Sequence, residues 1–192
     1  MEKRFAATTF VALLGALTMC SAMAAPMTYK IDSRHTFPSF QVSHMGFSLQ
    51  LGRFDKTSGT LNIDLEAKSG AVDVTIDTAS ISMGFDAWNK NVDDRYLHSA
   101  QYPTMTFKSS KFRFKGNQLV AVDGELTLLG VTKPVRLTVD LFKCAQSPLT
   151  KKDACGAHAS TTIKRSDFGM TANLPDIGDE IKIAFGVEAI KE

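Results

Sequence analysis

Four histidines are the side chains with the widest chemical range in this sequence: His35, His44, His98 and His158. Imidazole can bind a metal ion or act as a general base near neutral pH. His35 and His44 could bind zinc together with a carboxylate from elsewhere in the chain. The four are scattered, however, and scattered histidines more often form structural hydrogen bonds. We therefore predict no metal site, with zinc at His35 and His44 as the alternative.

The sequence lacks the motifs that mark common catalytic sites. It contains no Gly-x-Ser-x-Gly nucleophile turn, no phosphate-binding loop ending in Gly-Lys-Ser/Thr and no His-Glu-x-x-His pair. Asp32, Asp94 and Asp167 adjoin apolar runs and could act in acid–base chemistry if a pocket enclosed them. Asp32 and Asp167 are typical turn residues in their contexts. We expect no catalytic residues and no cofactor.

Two of the three cysteines can pair with each other. Cys20 lies in an apolar N-terminal run, whereas Cys144 and Cys155 flank the loop 145–154. An even pair in an oxidising compartment is expected to form a disulfide, and the spacing differs from the Cys-x-x-Cys of redox enzymes. We predict a Cys144–Cys155 bond at the tip of a hairpin, where it closes a connection rather than part of the core.

The first residues have the pattern of a secretory signal peptide. A charged start precedes a mostly apolar run over 5–19 and the small-residue tripeptide Ala22-Met23-Ala24. This run is too short to cross a bilayer, so we expect no transmembrane anchor. The sequence predicts that residues 1–24 are removed by cleavage near Ala24 and that the mature protein is periplasmic.

Composition favours one globular domain with a dry interior. The chain has 192 residues, 44% of them hydrophobic, which is enough for one domain with a real core. The net charge of +2 gives no basic patch for a nucleic-acid partner. Thirteen phenylalanines outnumber three tyrosines and one tryptophan. Because Phe has no polar group, this excess favours a dry core or an apolar cavity.

Apolar and polar residues alternate along most of the chain after residue 25. This alternation is typical of strands with one buried face. The clearest runs are 61–65, 72–76, 120–128, 135–141 and 181–187. Because every second residue of a strand shares a face, we expect Val120 to be buried on the same face as Val122, and Leu141 on the same face as Val139. No βαβ alternation is present, so the pattern predicts an all-β fold of about eight antiparallel strands, a barrel or a sandwich.

One segment, 86–98, has a helical pattern instead. Trp88, Val92 and Tyr96 recur every four residues and would form one apolar stripe on a helix. Asp86 is the predicted N-cap. We predict a short helix over one end of the sheet, as a plug that caps the core or, alternatively, as a lid.

A series of short motifs runs through residues 27–190 in a fixed order. They are YKIDSRHT at 29–36, FQVSHMG at 40–46, GRF at 52–54, SGTL at 58–61, YPTMTFKS at 102–109, GELTLLGVTKPV at 124–135 and IKRSDFGM at 163–170. The ordered set resembles the YceI-like family of secreted, lipocalin-like proteins. Many members carry an Arg-Asp pair before a Leu in the helical segment, where this chain has DDRYL at 93–97. The loop between the two cysteines resembles that of a subgroup.

The resemblance implies that residues 25–192 form an extended antiparallel eight-stranded lipocalin-like barrel with one short helical segment. It also implies a ligand, a long apolar molecule such as a polyisoprenoid or an isoprenoid quinone, and a barrel of eight strands is wide enough for one slender chain. We expect the polar head of that lipid near His44, Arg53 and Arg165, each of which could instead hydrogen-bond to a neighbouring loop. From strand parity we expect the walls to include Phe40, Val42, Leu61, Ile63, Val74, Ile76, Met105, Phe107, Leu126, Val139 and Phe185.

The resulting prediction is a periplasmic carrier of a long-chain lipid that is not an enzyme. A structural stress-response protein with a solid barrel is the main alternative. A lipid-modifying enzyme that uses His35 or His44 as its base is a second alternative. The sequence leaves open whether the protein forms a homodimer.

Overall fold

The computed structural model describes residues 26–192, which form one sheet of eleven strands with a short α-helix. The strands are β1 Met27–Ile31, β2 Phe37–His44, β3 Ser48–Phe54, β4 Thr57–Asp64, β5 Ser69–Asp77, β6 Ile81–Ser82, β7 Thr104–Lys115, β8 Gln118–Leu128, β9 Val131–Gln146, β10 Asp153–Lys164 and β11 Ile177–Lys191; helix α1 is Asp86–Val92. The predicted signal peptide, 1–24, and Cys20 lie outside the described residues. Within 26–192, no helix is both long and apolar enough to cross a membrane.

The eleven strands occupy eight positions around a closed barrel. Along β11, strand β1 pairs with the C-terminal part and β2 with the part that precedes it. In the same way, β4 lies beside β1 and β3 lies beside β2. Next to these, β5 lies beside β4 and β6 lies beside β3. Thus β1 with β2, β3 with β4, and β5 with β6 each form one long strand with an interruption. The barrel closes where β1 pairs with β11, which confirms the predicted eight-stranded antiparallel barrel.

The interruption between β1 and β2 is a tight turn organised by Asp32. Its backbone N–H donates to the Glu188 carbonyl at 2.9 Å, and its carboxylate binds the Arg34 guanidinium and the His35 imidazole. These hydrogen bonds hold the pKa of Asp32 well below its usual range. The turn divides the barrel into two ends. We call the end with β1 and β4 the closed end, and the end with β2, β3 and β6 the open end.

Two clusters of buried side chains fill the closed end and the middle. At the closed end Tyr29, Ile63, Cys155 and Ala189 are all at most 3% exposed and pack together. In the middle, Val74, Ile76, Phe107, Leu126 and Val139 belong to a larger cluster that extends toward the open end. These residues form a solid core at the closed end and in the middle of the barrel.

At two β-bulges, side chains point to the opposite face of the sheet from the one that the alternation predicts. Between β7 and β8 the register passes from Arg113–Ala121 to Phe114–Leu119, so Val120 is an extra residue and lies 37% exposed. Between β9 and β10 the register shifts next to Leu141, which is 63% exposed. A bulge adds one residue to a strand and turns every later side chain to the other face. The predictions that Val120 and Leu141 are buried are therefore wrong.

The helical segment is shorter than predicted and ends in a wider turn. Helix α1 begins at Asp86 with Phe85 as its N-cap, so the prediction that Asp86 is the N-cap is wrong. A π-helical turn, Asp93–Leu97, follows directly and ends at His98 in the left-handed conformation. The Asp93 carboxylate holds this turn, accepting hydrogen bonds from the Ser99 N–H at 2.8 Å and the Ser99 hydroxyl at 2.6 Å. The segment lies across the open end.

Candidate functional site

A cavity of about 400 Å³ occupies the open end of the barrel. Its size is in the lower part of the range of roughly 300–1,000 Å³ that is typical of small-molecule sites. Apolar side chains from the strands form most of its wall: Phe40, Val42, Phe54, Met105, Leu128, Ile163, Ile177, Ile181 and Ile183. The cavity can therefore take an apolar group without leaving buried polar atoms unpaired.

Phe107, with Val74 and Leu126 beside it, forms the floor of the cavity; we call these three residues the Phe107 layer. Met105 on β7 lines the cavity, whereas Phe107, two residues further along the same strand, does not. Phe107 is 3% exposed and pairs across the sheet with Val74 and Leu126, both of them buried. Two residues of a strand span about 7 Å. The hollow part of the barrel thus ends within one side-chain layer of Met105.

The helical segment closes the gap that the short strand β6 leaves in the wall. Trp88, Val92 and Tyr96 all line the cavity, so the predicted four-residue stripe faces inward. The Tyr96 hydroxyl donates to the Asn173 side-chain carbonyl at 2.9 Å and ties the π-helical turn to the loop before β11. The segment serves as a wall of the cavity.

Polar side chains gather where the cavity meets solvent. Its exposed lining residues include Asn91, Arg95, Asn173 and Asp176, and His44 is half-buried beside them. Arg95 forms no ion pair with any residue of 26–192, whereas the nearby Lys90 and Asp94 pair with each other at 2.6 Å. The mouth therefore offers a cation, a carboxylate, an imidazole and two amides to a polar group.

Arg165 lines the cavity, and its guanidinium binds three backbone carbonyls of the fold. The residue is 1% exposed, and it donates to the carbonyls of Gly178 at 2.9 Å, Met170 at 2.7 Å and Ile177 at 2.7 Å. Burial lowers the pKa of Arg165, and the Tyr96 ring lies 5.5 Å from the guanidinium carbon. Arg165 joins the turn after β10 to the start of β11.

Gly52 leaves room for the side chains that shape one wall of the cavity. A Cβ at this position would lie 2.5 Å from Phe40 Cζ and would also collide with Met83 Sδ. Phe40 faces Gly52 directly across the β2–β3 ladder. The missing side chain lets the Phe40 ring lie against the wall instead of across the lumen.

Comparison with known proteins identifies the family. The model of the YceI-like domain matches residues 29–189. The chain is 35% identical to Protein YceI of Salmonella agona, over the full length of both chains.

This chain belongs to the YceI-like family.

Solved structures agree with this assignment. BcnA of Burkholderia cenocepacia has a TM-score of 0.68 and 27% identity, and the match covers 83% of this chain and 99% of BcnA. A polyisoprenoid binding domain from Saccharophagus degradans has a TM-score of 0.66 and 22% identity, covering 86% of this chain and 99% of the domain. At that identity the second likeness shows the fold alone.

The predicted site residues of this YceI-like chain fall into two groups. Phe40, Val42, His44, Met105 and Arg165 line the cavity. The others do not line it and lie in the core, the closed end or the barrel wall: Leu61, Ile63, Val74, Ile76, Phe107, Leu126, Val139 and Phe185. Arg53 lies outside the cavity, exposed, with its Nε 2.7 Å from an Asp55 carboxylate oxygen and its guanidinium 4.8 Å from the Phe37 ring.

Several cavity residues were not among the predicted site residues. Trp88, Val92, Tyr96 and Arg95 come from the helical segment, and its four-residue stripe was a signal for the first three. Leu128 lies on the same face of β8 as Leu126, which was predicted, but nearer the open end. Ile163 lies on β10, where no site residue was predicted. Parity identifies the inner face of a strand and cannot tell at which height the barrel becomes hollow.

The predicted disulfide is confirmed, and its position needs one correction. Cys144 and Cys155 are bonded and face each other across the β9–β10 ladder. Cys155 is 3% exposed and belongs to the buried cluster of the closed end, so the prediction that the bond lies outside the core is wrong. β10 already begins at Asp153, which places the bond within the sheet.

The two histidines considered for zinc lie at opposite ends of β2. His35 binds Asp32 in the turn before the strand, and His44 is the last residue of the strand. A strand of this length spans roughly 25 Å. Within 26–192, no group of three or more His, Cys, Asp and Glu side chains is arranged to hold a metal ion.

Proposed function

We propose that this protein binds the apolar tail of an isoprenoid lipid, a polyisoprenoid or an isoprenoid quinone, in the cavity at the open end. The observation that carries the proposal is the cavity itself, about 400 Å³ in volume and lined mostly by aliphatic and aromatic side chains. The name of the Saccharophagus degradans domain, which describes polyisoprenoid binding, supports the same ligand class. The cavity also favours a carrier over a structural protein with a solid barrel.

The tail supplies most of the affinity in this proposal. Burial of apolar surface contributes about 25 cal/mol per Å², so affinity rises with the length of tail that enters. The Phe107 layer limits that length, because Phe107 packs against Val74 and Leu126 below the cavity. We therefore expect affinity to rise with the first isoprene units and then to level off.

The polar head lies at the mouth, next to Arg95 and His44. Both residues line the cavity, and Arg95 forms no ion pair within 26–192. Arg165 has a different role, since its three hydrogen bonds to backbone carbonyls tie the guanidinium to the fold. Arg53 is directed away from the cavity by its contacts with Asp55 and Phe37. A lipid with an anionic head would gain a charge-assisted contact at Arg95.

The proposal assigns no catalytic step to the cavity. His35 and His158 lie beside carboxylates, whereas His44 hydrogen-bonds to no side chain within 26–192. An imidazole without a partner that orients it is a weak candidate for a general base. A lipid-modifying activity would predict that His44→Ala abolishes turnover while lipid binding persists.

Trp88 provides a direct test of the proposal, because it is the single tryptophan and lines the cavity. Geraniol, farnesol, geranylgeraniol and a longer polyprenol are titrated while Trp88 fluorescence is followed. We expect a shift that saturates, with affinity rising along the series and then levelling off. Val42→Trp should narrow the cavity and weaken farnesol binding on the order of tenfold, measured by calorimetry. Val120→Trp, on the outer face, should leave farnesol binding unchanged. Equal affinity for every chain length, or no binding by folded protein, would refute the proposal.

The periplasmic location belongs to the proposal as well. Its support is the charged start, the short apolar run and the Ala22-Met23-Ala24 tripeptide. The measurement is the intact mass of protein from a periplasmic extract, which should correspond to a chain that starts near Ala25. A mass that includes residues 1–20, or a lipid on Cys20, would contradict it.

A further inference from the structure

The β2–β3 hairpin exposes an apolar surface directly at the cavity mouth. Met45 is 55%, Phe47 89%, Leu49 57% and Leu51 63% exposed. Met45 and Phe47 lie at the tip between the strands, and Leu49 and Leu51 lie on the outer face of β3. Large apolar side chains grouped on a surface mark a site of interaction. We call these four residues the hairpin lip.

The segment that carries the hairpin lip is uncharged. Residues 35–52 contain no Asp, Glu, Lys or Arg, and this is the longest such stretch within 26–192, although 22% of the chain is charged. A charged side chain in the apolar part of a bilayer costs roughly 2.5–3.5 kcal/mol on insertion scales, whereas Leu and Phe are favourable there. The composition of this hairpin suits contact with lipid.

The same hairpin forms part of the cavity wall. Val42 and His44 on β2 and Gln50 on β3 line the cavity, while Leu49 and Leu51 on the opposite face point outward. The hairpin therefore has one face toward the cavity and the other toward solvent. A lipid tail that enters or leaves the mouth passes the hairpin lip.

We propose that the hairpin lip docks the barrel on the surface of a lipid bilayer, so that the cavity mouth faces the membrane from which an isoprenoid lipid is taken or to which it is delivered. This inference rests on the proposed function for its ligand. Docking buries the side chains of Phe47 and its neighbours among the lipid headgroups and upper acyl chains, as other membrane-surface proteins do.

The free edge of β3 limits how deep the hairpin lip enters. Beyond its two pairs with β6, at Arg53 and Phe54, β3 pairs with no other strand of 26–192 on that side, so backbone groups of 48–52 are not bonded to a neighbouring strand there. Unpaired backbone groups are costly in hydrocarbon, which confines the contact to the interface. Edge-to-edge pairing with a second copy would cover these groups but leave Leu49 and Leu51 exposed, because side chains point perpendicular to a sheet.

Co-sedimentation with vesicles of phosphatidylethanolamine and phosphatidylglycerol tests the docking. The double variant Phe47→Ser with Leu49→Ser should lower the partition coefficient on the order of tenfold. Leu149→Ser with Leu141→Ser is the matched control, since those residues are 91% and 63% exposed and Leu149 lies in the hairpin at the closed end. The control should bind vesicles like the wild type. Equal partition of both variants, or no vesicle binding by the wild type, would overturn the docking.

Two further measurements separate this inference from its alternatives. Farnesol binding, measured without vesicles, should be the same in the Phe47→Ser, Leu49→Ser variant as in the wild type. If farnesol binds to none of the proteins but the difference in vesicle binding is observed, the ligand proposal fails and the docking stands. Sedimentation equilibrium detects a second copy, and a dimer that the lip variant dissociates, with no vesicle binding, would overturn the docking. In a Trp88→Phe background, Phe47→Trp emission should shift to the blue with vesicles and Leu149→Trp emission should not.

Discussion

The two ends of the barrel are built from the same eight strands, but one is solid and the other is hollow. At the closed end, Tyr29, Ile63, Cys155 and Ala189 fill the lumen and are at most 3% exposed. At the open end, a cavity of about 400 Å³ lies between β2, β3, β11 and the helical segment. Both ends have apolar interiors, so polarity is not what distinguishes them.

The difference arises from what completes the wall at each end. At the closed end β1 pairs with β4 on one side and with β11 on the other, and Tyr29 and Ile63 pack in the lumen between them. At the open end β6 has two residues, Ile81 and Ser82, and the helical segment covers the remaining gap with one stripe of side chains. Gly52 opposite Phe40 removes another side chain from the wall. A barrel of this size becomes hollow where a helix and a glycine replace strand side chains.

The largest effect on the open end is expected from removal of the Arg165 guanidinium, which joins the turn after β10 to the start of β11. Arg165→Met leaves the carbonyls of Gly178, Met170 and Ile177 without their donor in a buried site. We expect a loss of roughly 3–5 kcal/mol in the free energy of unfolding, measured in urea.

Arg136→Met is the control for that variant. Arg136 binds Asp123 on the surface, with its side chain 60% exposed, and its loss should cost less than about 1 kcal/mol. If both variants lose the same small amount, the open end does not depend on Arg165.

The role of Arg165 also shows where prediction from sequence stops. The strands, the helical stripe and the disulfide follow from alternation, four-residue spacing and cysteine pairing, all of which are local patterns. An arginine in a turn after a strand has the same local pattern whether it meets a ligand or three backbone carbonyls. Only the chain that packs around it decides, and that chain, the start of β11, lies more than ten residues away.

The bulges show a second limit. Parity correctly places Val122 and Val139 inside, but one extra residue in β8 and in β9 turns Val120 and Leu141 outward. Each bulge coincides with a run of adjacent apolar residues, 119–122 and 141–142, and such a run does not tell which of its members points outward. Parity also cannot locate the floor of the cavity, because Met105 and Phe107 share one face of one strand.

The closed end is expected to depend on its disulfide while the cavity does not. Replacing Cys144 and Cys155 together by alanine removes a cross-link between adjacent strands, and the loop it closes is worth roughly 2–3 kcal/mol in chain-entropy terms. We expect a loss of that size in the free energy of unfolding, with unchanged farnesol affinity. A large loss of affinity would show that the two ends are coupled.

Ligand binding at the open end is expected to be sensitive to one added methyl group. Gly52→Ala places a Cβ against the Phe40 ring and Met83 Sδ, two side chains that line the cavity and must shift to make room. We expect farnesol affinity to fall on the order of tenfold, about 1.4 kcal/mol, with a smaller change in the free energy of unfolding. Gly186→Ala on β11 is the matched control, since its Cβ would meet no atom within 4 Å. Equal affinity in both variants would mean that Phe40 does not shape the cavity.

The two ends should also differ in the pH range that weakens them. At the open end, the Ser166 backbone N–H and hydroxyl each donate to the Asp179 carboxylate at 2.9 Å and hold the pKa of Asp179 below its usual range. A lowered pKa stabilises the fold above about pH 4, and this stabilisation is lost as the pH falls. At the closed end, burial raises the pKa of Tyr29, which stabilises the fold below about pH 10, and this stabilisation is lost as the pH rises.

The free energy of unfolding in urea, measured across pH, should therefore fall less steeply in acid in Asp179→Asn and less steeply in alkali in Tyr29→Phe. If the two substitutions change the same slope, acid and alkali act on the barrel as a whole and its ends are not independent.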